Sequence, residues 1–296
     1  MRIVWDATTA RVLATVSHQN VHSEGQITTD QLDLFAYPTQ GLPDSLDALV
    51  LTSDLQARGR LFKPGTTRTP VPAAERDDRL LGFLVADTLG QLSATGVLPP
   101  AERMGIVLAG DLFAIENLAK RGGFGDVRDV WRAFRAVTRW VVGVAGNHDN
   151  FGTLGEELAF RRESGIHLLD CESVHLDGIH FAGVGGIIGP PRKPNRRREM
   201  DQLDRISRML RRQPTMLILH QGPRTATQPG HPMVQRVCET SSPTWIVCGH
   251  DHWRNPFGDL ANGTRILNTD SRTIILLREQ CFEPLDSERF PKINFA

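Results

Sequence analysis

The sequence predicts an α/β fold, on three observations. Five apolar runs, at residues 47–52, 105–109, 140–145, 216–219 and 245–248, have the composition of buried strands. Each run stops on a polar group able to do chemistry: Ser53-Asp54-Leu55-Gln56, Gly110-Asp111, Gly146-Asn147-His148-Asp149, His220 and Gly249-His250-Asp251-His252. Between the runs lie segments whose apolar residues recur at helical spacing. In open α/β sheets ligands gather beyond the carboxyl ends of the strands, so five such ends can converge on one polar cluster.

The 296 residues are enough for one large domain or two small ones. Apolar residues make up 40% and charged residues 23%, and 34 basic side chains balance 34 acidic ones, so net charge does not mark a general polyanion binder. The N-terminus lacks the apolar core of a signal peptide and no segment approaches membrane-spanning length, from which a cytoplasmic protein without a membrane partner is expected. Cys171, Cys238, Cys248 and Cys281 form no C-x-x-C pair, as in a reduced, non-zinc set.

Residues 1–46 carry short β-like runs at 2–5, 11–16 and 31–36, joined by polar stretches, and are read as an added meander with His18 and His22 on its surface. After the strand at 47–52, Arg58, Arg60, Lys63 and Arg68 stand in a loop rich in Pro, Gly and Thr, able to steer anions or simply to be solvated. Residues 77–95 place Leu81, Leu84, Val85, Leu89 and Leu92 on one helical face, and Pro99-Pro100 closes the connection to the next strand. The Gly-rich loop 120–125 lacks the G-K-[ST] of a phosphate-binding P-loop; the helix after it is expected to be capped by Asp126 and to bury Val127, Val130, Trp131, Phe134 and Val137.

Beyond Asp149, Asp177-Gly178 between residues 173–176 and 179–184 is a hairpin signal, with His175 and His180 on its strands. Arg192, Lys193, Arg196, Arg197 and Arg198 then give a local basic excess that continues into a helix with Arg205, Arg208, Arg211 and Arg212. A solvated face is the first reading; a phosphate or nucleic-acid contact is the second. Residues 264–267 and 273–277 close the domain as strands. The expected organisation is an N-terminal β extension at 1–46 packed on a main domain at 47–278, then a tail at 279–296.

In order and context, Asp54-Leu55-Gln56, Gly110-Asp111, Gly146-Asn147-His148-Asp149, His220 and Gly249-His250-Asp251-His252 resemble the signature of calcineurin-like metallophosphoesterases. The resemblance spans roughly residues 47–278. It implies a four-layer fold, two mixed sheets packed face to face and flanked by helices, around a dinuclear metal centre. It puts Asp54, Gln56, Asp111 and His252 on one metal and Asp111, Asn147, His220 and His250 on the other, with Asp111 bridging. This donor set, hard oxygens and imidazoles without thiolate, suits Mn foremost, with Fe, Zn or Mg as alternatives. His148 is implied as the general acid for the leaving oxygen, with Asp149 or another carboxylate orienting it.

The expected function is metal-dependent hydrolysis of a phosphate ester by metal-activated hydroxide, a phosphodiester being favoured over a monoester. Two other readings stand beside it: a nuclease reaching its polynucleotide through Arg192, Lys193, Arg196, Arg197 and Arg198, and a non-catalytic interaction module that keeps the fold. Gln56 departs from the resemblance, which has histidine there; an amide oxygen leaves the charge count intact but is a weaker donor.

Overall fold

Strand alternation dictates the layering. The computed structural model describes residues 4–5, 8–21, 25–63, 68–242 and 244–282. Along Ala48–Ser53, Met104–Leu108, Trp140–Gly143 and Arg272–Arg278, successive side chains point to opposite faces of one sheet, and both faces are buried. Leu49, Leu51, Val107, Val142, Ile274 and Leu276 meet Ile179, Phe181, Met216, Ile218, Val247 and Leu267 of a second sheet. Their neighbours Val50, Ile106, Leu108, Val141 and Ile275 face the helices Leu81–Ala94 and Arg128–Ala136. On the far side, Ala182, Val184, Leu217, Leu219 and Ile246 are covered by the helices Glu199–Leu210 and Pro232–Glu239. The result is helix, sheet, sheet, helix, the four layers the sequence leads one to expect.

Direction within the sheets positions the site. In the first sheet Ala48–Ser53, Met104–Leu108, Trp140–Gly143 and Ile166–Leu168 run parallel. In the second, Ile179–Val184, Met216–Gln221, Trp245–Gly249 and Arg265–Asn268 do the same. Arg265–Asn268 and Arg272–Arg278 do not pair with each other: the first belongs to the second sheet and the other crosses to the first. The Asp177-Gly178 hairpin forms as expected, with both turn residues at positive φ (49° and 82°) and Leu176 opposite Ile179.

Several local expectations are corrected. The N-terminal runs are not short: Arg11–Val21 and Ile27–Gln40 are long strands, and the second pairs in parallel with Arg272–Arg278 inside the first sheet. Their polar residues alternate with Val16, Leu32, Leu34 and Ala36, which are buried, so polarity there marks one face and not a loop. His18 is buried too, against the surface position expected for it, and burial lowers its pKa. His22 lies outside the described residues. Val127, not Asp126, is the N-cap of Arg128–Ala136, although an Asp126 oxygen accepts from the Arg128 amide at 3.0 Å. Of the expected tail, Glu279–Phe282 is helical and Phe282 is buried, with Arg11 over its ring; the remainder lies outside the described residues.

The loop after Asp54 is not a free basic surface. Arg58 is buried and donates to the carbonyls of Ala114, Ile115 and Asp78. Arg60 pairs with Glu75, and Arg68 donates to the carbonyls of Asn117 and Leu118. Those guanidiniums fasten one loop to another, which leaves little to steer an anion.

Candidate metal centre

Three of the strand-end residues leave their strands in a left-handed turn. Asp54, Asp111 and His250 have φ of 55°, 59° and 66°, a region that costs a non-glycine residue about 1 kcal/mol or more. The turns aim all three side chains into the space between the sheet edges. Close approach of the loops makes this possible: a Cβ on Gly110 would meet the Gly146 nitrogen at 2.4 Å, and one on Gly146 would meet Asp111 Oδ1 at 2.0 Å.

Asp111, His220 and His250 form the candidate cluster, each with a ligand atom within 4.8 Å of the others. His220 donates from Nδ1 to the Ala109 carbonyl at 2.8 Å, which turns Nε2 into the site. Nε2 lies 3.3 Å from Asp111 Oδ2 and 3.3 Å from Asn147 Oδ1. The Gln56 amide is 2.6 Å from Asp111 Oδ2, with Nε2 facing the carboxylate; a half-turn about its last bond puts Oε1 in the same place. Asp54 receives the His250 backbone amide at 3.0 Å. Buried carboxylates and an imidazole whose Nε2 is preset towards them are donors that suit a divalent cation.

His252 stands apart from that cluster. Its side chain is 75% exposed, and its Nδ1 is held 2.7 Å from Asp270 Oδ2, so Nε2 is again the outward nitrogen. Asp270 was not among the residues singled out from the sequence. The same strand-end rule would have found it, because it follows the strand Arg265–Asn268 at the crossover between sheets.

His148 lies on the accessible side, with Nε2 3.9 Å from Asp111 Oδ2 and its side chain 29% exposed. Asp149 does not orient it. The Asp149 carboxylate is buried and accepts from the backbone amides of Asp111 (2.7 Å), Leu112 (2.7 Å) and Gly146 (2.8 Å). It staples two site loops together instead. The group holding the His148 ring is Gly123, whose carbonyl and amide both face Nδ1. A Cβ on the adjacent Gly122 would lie 2.8 Å from the ring. The Gly-rich loop 120–125, set aside in the sequence as no P-loop, therefore forms the seat of this histidine.

The electrostatics describe a site with too few neutralising charges of its own. Burial raises Asp54 well above the usual carboxylate range, with Asp270 and Asp111 adding to the rise and His220 opposing it. Burial opposes charge on both Asp111 and His220, but each is the other's main counter-ion: Asp111 is held below its ordinary value and His220 is pushed up to about 10. Burial and the His220 charge drive His250 down to about 4. Protonation of His220 beside the buried carboxylates thus takes the place that suits a cation.

A family model described as calcineurin-like phosphoesterase matches residues 49–254, more than two thirds of the chain. The chain belongs to this family. As a calcineurin-like phosphoesterase it falls in a family that uses divalent metals, and the cluster of Asp111, His220 and His250 is its candidate metal site. No curated protein matches the chain. Among the described residues of this family member, no helix is long and apolar enough to cross a membrane.

Proposed function

We propose that the chain is a metal-dependent phosphoric ester hydrolase, acting on a phosphodiester in preference to a monoester at a centre of two divalent cations, manganese foremost. The observation that carries this reading is the set Asp111, His220 and His250, the first two buried and the third half-buried, with the His220 ring oriented by the Ala109 carbonyl. Asp54, Gln56, Asp111 and His252 would hold one cation; Asp111, Asn147, His220 and His250 would hold the other. Such ions supply Lewis acidity, polarising phosphoryl oxygens and acidifying water at neutral pH.

The chain's own residues supply the rest. Two aspartates among the ligands leave a two-cation centre net positive, so it attracts and orients an anionic ester. With Nδ1 seated on Gly123, His148 presents Nε2 towards the accessible side, where it can hand a proton to the leaving oxygen. A scaffold that only binds partners has no need of such a histidine, which weighs against the non-catalytic alternative. A cytoplasmic setting is supported by the four free thiols.

Hydrolysis of bis-p-nitrophenyl phosphate tests the proposal. Activity should vanish on chelation and return with manganese. Asp111→Asn should abolish it nearly completely, while His148→Ala should keep its metal and lose roughly a hundred- to ten-thousandfold in rate on an ester with an alkyl leaving group, and less on this good leaving group, which needs little protonation. Chelator-resistant turnover, or full activity in Asp111→Asn, would refute the metal-dependent reading.

A further inference from the structure

The basic run at 192–198 does not act as one patch, because the structure gives its arginines different surroundings. Arg197 is spent on the fold: it donates to the Gly185 carbonyl at 2.7 Å, to Gln202 Oε1 at 3.0 Å and to Asp170 Oδ2 at 2.7 Å, an oxygen shared with Arg205. Arg196–Arg197 is a strand paired with Ile187–Ile188, and neighbours on a strand leave on opposite sides. Arg196 is therefore directed away from Asp170. The start of this strand is pinned to the metal-site loop by Asn195, whose amide donates to the Gly146 carbonyl at 2.8 Å and the Asp149 carbonyl at 2.7 Å.

Arg196 lies across Gly189, where a Cβ would come within 3.2 Å of its Cδ and 3.6 Å of its Nη1. It follows Asn195 directly in the chain, so it leaves its strand next to the Gly146 and Asp149 turns of the metal-site loop. It is half-buried, yet among the described residues no hydrogen bond or ion pair engages its guanidinium. A partly desolvated guanidinium beside a cation-binding centre calls for an anion, and its planar fork fits phosphate oxygens in a two-point contact. The centre already neutralises the phosphate being cleaved, and a diester phosphate carries a single negative charge. The extra cation is matched by another anionic group.

We propose that Arg196 is a specificity-determining residue that holds a second phosphate, next to the one hydrolysed, so that the preferred substrates carry two neighbouring phosphates. The inference rests on the phosphoesterase reading. Two sources share this chemistry: a diphosphate anhydride, and the adjoining phosphate of a nucleotide chain.

The test compares wild type, Arg196→Ala and Arg196→Lys on a p-nitrophenyl nucleotide diester with and without a further phosphate on its ribose. It adds calorimetric binding of a nucleoside diphosphate and a nucleoside monophosphate to the manganese-loaded protein. In Arg196→Ala, kcat/KM should fall at least tenfold more for the ester with the further phosphate, or the diphosphate should weaken at least tenfold more than the monophosphate; whichever arm responds names the source. Arg196→Lys should restore part of the loss, and Arg208→Ala, ion-paired with Asp204 on its helix, should shift neither comparison. Melting temperatures of the Arg196 variants should match wild type, since among the described residues its guanidinium has no hydrogen-bond or ion-pair partner to lose. Equal losses in both pairs overturn the role of Arg196. Wild type inactive on every ester refutes the phosphoesterase reading instead, and the calorimetric comparison still decides whether Arg196 selects a second phosphate.

Discussion

At the scale of single residues, Gln56 and His220 set how the centre takes up metal. Gln56 reaches Asp111 Oδ2 at 2.6 Å, so its side chain is turned into the site and not away from it. If its oxygen serves as a ligand, the cation it helps to hold should be the more weakly bound, because an amide is a poorer donor than imidazole. Manganese titration of activity should then shift to lower concentration in Gln56→His and to higher concentration in Gln56→Ala; three superimposable curves would remove Gln56 from the ligand set. His220 makes metal uptake pH-dependent. Its folded-state value of about 10 stands above its ordinary 6.5, so below about 10 a metal must displace a proton, and affinity should rise with pH by roughly tenfold per unit. Competition with a fluorescent chelator at two pH values reads this directly, and a flat profile would show that metal binding displaces no proton from His220. The residue types at the site were legible because each stands at a strand end. Their partners were not: the Ala109 carbonyl and Gly123 are brought in by folding from positions that carry no motif of their own.

Elements were legible where period and punctuation agreed. The apolar runs gave the five strands within a residue or two, and Asp177-Gly178 gave the hairpin, since both signals are local. Loop docking was not legible, because it joins distant positions. Asp149 shows why: adjacent in sequence to His148, it reads as a catalytic partner, yet its carboxylate ties the Asp111 turn to the Gly146 turn through three backbone amides. Burial and the charge of Asp111 raise its pKa to about 6 against those amides, so the staple costs some ionisation energy to keep. Asp149→Ala strands three buried amide donors, each worth about 1 kcal/mol or more when unpaired, so the loss of stability should reach about 3 kcal/mol. Asp149→Asn, with one acceptor oxygen left, should lie between. Urea unfolding of the metal-free protein measures both. Equal stability of Asp149→Ala and wild type would return Asp149 to the catalytic role first read from the sequence.

At the scale of the whole molecule, the least legible feature is how the first 46 residues join the rest. Their polar alternation resembles a decoration, whereas Ile27–Gln40 supplies six consecutive partners to Arg272–Arg278, from Leu34 opposite Thr273 to Thr39 opposite Arg278. Leu32, Leu34 and Ala36 enter the same core as Val50, Leu89 and Ile275. The family match covers residues 49–254, so both Ile27–Gln40 and the strand it pairs with, Arg272–Arg278, come from outside the matched region. Removing residues 1–46 would uncover the hydrogen-bonding edge of Arg272–Arg278 together with that apolar surface, a combination that invites edge-to-edge association. Arg272–Arg278 also pairs with Ala48–Ser53, whose end carries Asp54, so damage at this edge is transmitted to a metal ligand through one intervening strand. The truncated chain should therefore aggregate, or melt well below wild type, and bind manganese weakly even though it keeps every proposed ligand. Circular dichroism melting and metal analysis of the 47–296 chain decide the matter. A soluble, cooperatively melting truncation with full metal content would show that the matched domain is a folding unit on its own and that the N-terminal strands are an addition to it.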